Sequence, residues 1–123
     1  RSLAENVAAR NSLQLELDVP EQIHNTSPEI EHGYYRVAQE ALENIARHAD
    51  ASTLRVSLQQ KGNHLTLEVS DDGAGFDIRA VDPNDQYGLR GMQERARMIG
   101  AVLEVKSTPD EGTTIRLETE TTL

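Results

Sequence analysis

Residues 34–49 place apolar side chains at Tyr34, Val37, Ala38, Ala41, Leu42, Ile45 and Ala49, the spacing of an amphipathic helix that must find an apolar surface to lie on. Beside that stripe stand Glu40, Asn44 and His48, each four residues from the next. Four residues overshoot a helical turn by only about 40°, so the three side chains form a row. A solvated helix face looks the same in isolation, because Glu and Asn are common on exposed helices. What the helix lies on, and what its polar row serves, depends on the rest of the chain.

The surface it needs is supplied by alternation. Leu13, Leu15, Leu17 and Val19 alternate with Gln14, Glu16 and Asp18 until Pro20 ends the run, the pattern of a half-buried strand. Residues 52–59 and 65–69 alternate in the same way across Lys61, Gly62 and Asn63, which reads as a hairpin. Residues 101–106 and 113–120 predict a second hairpin, closed by residues 107–112, and residues 121–123 read as a tail. Ser27 followed by Pro28, with Glu29 and Glu31 behind, is a helix start, so the central helix is expected over residues 28–49. A short helix fits residues 2–10, as the end of a linker helix over about residues 1–11. A further amphipathic helix opens at Gly88, shows Leu89, Met92, Ala96 and Ile99 on one side, and stops at Gly100. Helices and hairpins in this order predict an α+β two-layer sandwich: a mostly antiparallel sheet with helices packed on one face, in one domain over residues 1–123.

Between the second hairpin strand and the later helix lies Asp71-x-Gly73-x-Gly75, whose glycines permit backbone conformations that other residues find costly. By itself it reads as a strand-ending turn. Residues 77–87 carry Asp82, Pro83, Asn84 and Asp85 without a usable period and are expected to be a mobile loop.

Composition narrows the functional classes. With 21 acidic against 12 basic residues the net charge is −9, which opposes general affinity for nucleic acid or an anionic membrane surface. Three Tyr, one Phe and no Trp leave few aromatic platforms for single-stranded nucleic acid. The absence of cysteine excludes disulfides and thiolate metal sites, and is compatible with a cytoplasmic setting. The chain opens at Arg1 rather than methionine, so it is expected to be a piece of a longer protein, whose own membrane topology the sequence leaves open.

The polar row, then D-x-G-x-G one hairpin later, then a G-L-x-G-M helix start, then a Gly-Thr pair in the last hairpin resemble, in that order, the nucleotide-binding (Bergerat-type) domain of the GHKL ATPases. Gln39-Glu40-Ala41-Leu42-x-Asn44 with Arg47-His48-Ala49, and the run from Tyr87 through Gly88, Leu89, Arg90, Gly91 and Met92 to Arg95, are similar to the sensor histidine kinases that partner NarL/LuxR-type response regulators. The resemblance spans about residues 13–118. It departs at residues 109–113, where relatives often carry an additional glycine before the threonine.

That resemblance implies ATP and Mg²⁺ as cofactors and phosphoryl transfer to a histidine on a dimerisation domain. None of His24, His32, His48 and His64 stands in a phosphoacceptor context. It implies Asp71 as acceptor of the adenine amino group, with Gly73 and Gly75 allowing close approach of the backbone. Asn44 corresponds to the Mg²⁺ ligand, an oxygen donor suited to a hard cation. Glu40 corresponds to the glutamate that orients a Mg²⁺-bound water or assists proton transfer. Arg47 and His48 face phosphate and ribose, the alternative for His48 being a solvated histidine. Gly88, Leu89, Arg90 and Gly91 supply a lid hinge and a phosphate-facing helix N-terminus, Arg90 reaching either phosphate or solvent. Thr113 hydrogen-bonds toward adenine, and residues 77–87 form the lid. An anti-sigma-type serine kinase and a nucleotide-sensing module without phosphoryl transfer remain alternatives.

Overall fold

The computed structural model describes residues 2–77 and 88–121, without the side chains of Ser2, His48 and Ala49. The chain runs α1 (Ser2–Arg10), β1 (Gln14–Asp18), α2 (Pro28–Asn44), a π turn (Ile45–Ala49), β2 (Thr53–Lys61), β3 (His64–Asp71), α3 (Leu89–Met98), β4 (Val102–Ser107) and β5 (Thr113–Glu120). One five-stranded sheet has the order β1-β2-β3-β5-β4. Every neighbouring pair is antiparallel except β1 and β2, whose parallel register sets Gln14 opposite Thr53. A parallel pair cannot be joined by a tight turn, and α2 is the element that makes the crossover. The expected α+β architecture is therefore present, with one parallel pair at an edge.

Alternation decides which sheet face the helices cover. Leu54, Val56, Leu65, Leu67, Val69, Leu103, Ile115 and Leu117 are buried, together with Ala4, Val7 and Ala8 of α1, Tyr34, Val37, Ala41 and Leu42 of α2, Ile45 of the π turn, and Met92 and Ala96 of α3. The alternate residues form an uncovered polar face. Tyr34 fastens α2 to the sheet by donating its hydroxyl to the Leu65 carbonyl at 2.8 Å, and burial raises its phenol above the ordinary range. Ser27 caps α2 as its sequence suggests, its hydroxyl accepting the Ile30 N–H at 3.2 Å.

Three boundaries differ from the sequence expectation. The central helix is α-helical only to Asn44, and residues 45–49 widen into a π turn. A π turn takes an additional residue per hydrogen bond, so the backbone leaves ordinary α-helical spacing after Asn44. The β2–β3 loop is shorter than three residues, because Lys61 still pairs with His64. Thr121, read as tail, is buried, and its N–H and hydroxyl donate to the Asn63 carbonyl at 2.6 and 3.1 Å.

On the polar face His64 bridges two carboxylates of β5, Nδ1 to Glu120 at 2.9 Å and Nε2 to Glu118 at 3.2 Å. The bonds to Glu120 and then Glu118 raise the imidazole pKa, and the bond from His64 lowers that of Glu118. A raised histidine stabilises the fold fully below its unfolded value near 6.5, and that contribution is lost as pH rises through the folded value. We expect the melting-temperature difference between the wild type and His64→Gln to be largest between about pH 5 and 6.5 and to shrink toward pH 9. Thermal unfolding across that range checks this, and a difference independent of pH would contradict it.

Candidate functional site

A crevice opens between α2, the start of α3 and the ends of the central strands. It is lined by Ala41, Asn44, Ile45, Val69, Asp71, Gly75, Phe76, Leu89, Thr113 and Ile115, and encloses about 430 Å³ including its open mouth. Its walls are apolar. The polar groups that reach it converge from three elements: Asn44 from the last turn of α2, Asp71 from the end of β3 and Thr113 from the start of β5. This mixture of apolar walls and a few placed polar groups is what a flat, partly apolar ligand requires.

Asp71 Oδ1 accepts the Gly73 N–H at 2.7 Å, which turns the chain immediately after β3. Its second carboxylate oxygen has no partner among the described residues. Burial pushes the Asp71 carboxyl above the ordinary aspartate range, opposed by the Gly73 N–H and reinforced by the neighbouring charge of Asp72. Asp72 turns outward and behaves oppositely. Its Oδ1 accepts the N–H groups of Thr53 at 2.9 Å and Ser52 at 2.8 Å, and these bonds hold its carboxyl below the usual range.

The turn after β3 is clamped by the β4–β5 loop. The Asp110 N–H donates to the Ala74 carbonyl at 2.6 Å. Gly112 has φ 82°, and a Cβ built on it would lie 2.1 Å from the Asp71 carbonyl oxygen and 3.0 Å from its carbon. A Cβ on Gly75 would lie 2.1 Å from the Thr108 carbonyl oxygen. The two loops thus touch backbone to backbone, next to the β3–β5 register that sets Asp71 opposite Thr113.

On the other side of α2, Glu40 rests against Gly88, the N-cap of α3. A Cβ at Gly88 would lie 2.0 Å from Glu40 Oε1, so the glycine admits the carboxylate. Arg47 Nη2 stands 3.7 Å from Glu40 Oε2 and 3.5 Å from Asn44 Oδ1. Glu40 and Gly91 line a groove between α2 and α3 with Arg36, Gln39, Glu43, Met92 and Arg95 rather than the crevice itself. Arg90 is exposed in the first turn of α3.

Of the residues expected from sequence, Asn44, Asp71, Gly75, Leu89 and Thr113 line the crevice together. Gly73 is buried in its turn, and Glu40, Gly88, Gly91 and Arg47 flank the crevice from the α2–α3 side. The His48 side chain and residues 78–87, most of the expected lid, lie outside the described residues. Sequence reasoning missed Phe76, which walls the crevice, and Ser107, which binds the Phe76 N–H at 2.8 Å and the Thr113 hydroxyl at 2.7 Å. Counting back across the last hairpin would have found Ser107, because it is the register partner of Thr113.

Among the described residues no three His, Asp or Glu side chains gather as a metal cluster, and no helix is long and apolar enough to cross a membrane.

Residues 29–122 match the family model described as histidine kinase-, DNA gyrase B-, and HSP90-like ATPase. Among curated proteins, the chain is 40% identical over 104 residues to "Sensor histidine kinase LiaS" of Bacillus subtilis (strain 168), covering 83% of this chain and 29% of that protein. It is 38% identical over 89 residues to "Sensor protein VraS" of Staphylococcus aureus (strain COL), covering 72% of this chain and 25% of that protein. The chain therefore spans less than a third of the length of these relatives. Among solved structures it superposes on the Erythrobacter litoralis EL346 blue-light activated histidine kinase with a TM-score of 0.79 at 19% identity, over 98% of this chain and 40% of that one. A mycobacterial sensor histidine kinase, MprB, gives 0.69 at 19% identity over 98% of this chain and 91% of that one, so both likenesses speak to the fold.

Proposed function

This chain belongs to the histidine kinase-, DNA gyrase B-, and HSP90-like ATPase family and is an ATP-binding catalytic domain of the sensor histidine kinase type, and from that premise we propose how its residues serve phosphoryl transfer to a histidine of a separate phosphoacceptor domain in a longer protein. The observation that carries the reading is the convergence of Asn44, Asp71 and Thr113 on one apolar crevice. Asp71 offers the carboxylate oxygen that Gly73 leaves open to the amino group of adenine, while Ile45, Val69, Phe76, Leu89 and Ile115 exclude water from the base.

Asn44, one turn beyond Glu40 on α2, offers Mg²⁺ the amide oxygen that Arg47 Nη2 otherwise meets at 3.5 Å, so the exposed guanidinium must turn aside toward the phosphates. When bound, Mg²⁺ neutralises charge on the transferring phosphoryl group. Arg47, within reach of both Glu40 and Asn44, supplies positive charge beside the phosphates in a chain whose net charge is −9. Glu40, in the space that Gly88 leaves by having no side chain, orients a water or a proton at the metal side. Leu89, Arg90 and Gly91 begin α3, whose N-terminal N–H groups favour phosphate, and His48 and the segment over 77–87 complete the ribose side and the lid. The runs 39–49 and 87–95 support a NarL/LuxR-type response regulator as the partner downstream.

Two measurements test this. Mg²⁺ is expected to tighten ATP binding to the wild type, and Asn44→Ala to remove that gain, a loss on the order of tenfold, or about 1.4 kcal/mol. Incubated with γ-labelled ATP and Mg²⁺, this chain is expected to bind nucleotide without acquiring label, because none of its four histidines stands in a phosphoacceptor sequence context. Unchanged Mg²⁺ dependence in the variant would sink the assignment of Asn44, and stable label on the chain would sink the need for a separate acceptor.

A further inference from the structure

Ser107 sits at the end of β4, outside the apolar walls of the crevice, yet it is joined to the crevice through a row of paired residues. The sheet register places Asp71 of β3 opposite Thr113 of β5, and Thr113 opposite Ser107 of β4. Ser107 Oγ meets three groups: the Phe76 N–H at 2.8 Å, the Thr113 hydroxyl at 2.7 Å and the Gly112 carbonyl at 3.3 Å.

Protons can be counted through this junction. A serine hydroxyl has one proton and two acceptor sites. The Phe76 N–H can only donate and the Gly112 carbonyl can only accept. If Ser107 gave its proton to Thr113, its lone pairs would face the Gly112 carbonyl, and that contact would be repulsive. If Ser107 gives its proton to Gly112, Thr113 gives its own proton to Ser107, and all three contacts become hydrogen bonds. The second arrangement satisfies every group, which is what a part-buried polar junction requires.

We propose that Ser107 is a specificity-determining residue of the nucleotide site, fixing the Thr113 hydroxyl as an acceptor toward the crevice; this rests on the reading above that Asp71 and Thr113 face the base. With its proton committed to Ser107, Thr113 presents lone pairs beside the lone pairs of Asp71. The polar end of the crevice is then made of acceptors alone. Adenine presents an exocyclic amine with two protons, one for Asp71 and one for Thr113, and leaves its ring N1 acceptor to water at the open mouth of the crevice. A 6-oxo purine presents an oxygen acceptor next to a ring N–H, and would need Thr113 to donate to that oxygen while Asp71 takes the ring proton. Ser107 withholds that donor, so the rejection of 6-oxo purines is set by a side chain outside the base-contacting set.

The test is the ratio of ITP to ATP dissociation constants, measured with Mg²⁺ by titration. Ser107→Ala frees the Thr113 proton, and the preference for ATP is expected to fall by about tenfold, the size of one recovered hydrogen bond. Ser107→Thr keeps the hydroxyl and is expected to keep the wild-type ratio. In a Thr113→Val background, Ser107→Ala is expected to change nothing further. Thermal unfolding monitors each variant, and if Ser107→Ala is unfolded at the assay temperature Ser107→Cys takes its place, a thiol being a weak partner for both Thr113 and Phe76. A purely structural Ser107 would weaken both nucleotides alike and leave the ratio unmoved, which would overturn the proposal. Asp71→Asn separates the two layers: if it leaves ATP affinity unchanged, the base-facing reading fails and Ser107 falls with it. If Asp71→Asn weakens ATP and Ser107→Ala leaves the ratio unmoved, only the role of Ser107 fails.

Discussion

Gly112→Ala is expected to destabilise the domain by about 3 kcal/mol or more, lowering its melting temperature on the order of 10 °C. Two costs add at this position. The backbone there has φ 82°, where an L side chain is strained, and the new Cβ would overlap the Asp71 carbonyl oxygen at 2.1 Å and approach Asp72 Cα at 3.1 Å. Those atoms belong to backbone and cannot rotate away. Gly62 in the β2–β3 turn provides the control. It has φ 60° with nothing within 4 Å of a built Cβ, so Gly62→Ala meets only the conformational cost, about 1 kcal/mol. Thermal or denaturant unfolding of the two variants isolates the loop-to-loop contact. Equal losses would mean that the clamp between the turn after β3 and the β4–β5 loop contributes nothing.

Asp71→Asn is expected to weaken ATP binding by one to two orders of magnitude, about 1.5–3 kcal/mol, with little loss of fold stability. The carboxylate accepts the Gly73 N–H at 2.7 Å through Oδ1, and in the function proposed above its other oxygen takes the amino group of the base. An amide has one acceptor oxygen. If that oxygen stays with Gly73, the NH₂ faces the amino group of the base, donor against donor. If the amide flips, the clash moves to Gly73. Removal of a partly buried charge offsets part of the structural loss, since burial already holds the Asp71 carboxyl above its usual range. Calorimetric titration of ATP together with a melting curve distinguishes this from unfolding. Wild-type affinity in Asp71→Asn would refute the role of Asp71 at the base.

Much of this was legible in the chain because it is encoded locally. Alternation at Leu13, Leu15 and Leu17 found β1, Ser27 and Pro28 marked the start of α2 within one residue, and Asp71-x-Gly73-x-Gly75 marked the turn that closes β3. The register of Ser107 with Thr113 is local too, but its meaning is not, because the third partner, Phe76, is 31 positions away. The π turn escaped because residues 45–49 keep an apolar spacing compatible with an ordinary helix, and the widening depends on how the chain leaves α2 to reach β2. Glu40 was singled out by its spacing from Asn44. That it rests in a notch left by Gly88, 48 positions later, depends on the packing of α3 against α2. Asp72 was passed over as the variable position of the motif, although its carboxylate ties two N–H groups at the start of β2.

Those ties give the edge of the sheet a mechanical meaning. Ser52 accepts the Gln14 N–H at 2.8 Å through its carbonyl and donates its own N–H to Asp72 at 2.8 Å. Gln14 begins the strand that follows α1, and Asp72 is the neighbour of Asp71. A load applied along the N-terminal helix therefore has a hydrogen-bonded route to the rim of the crevice through the two faces of Ser52, beside the apolar packing of Ala4, Val7 and Ala8. That short linkage ties any pull or twist of the N-terminal helix to the turn that carries Asp71.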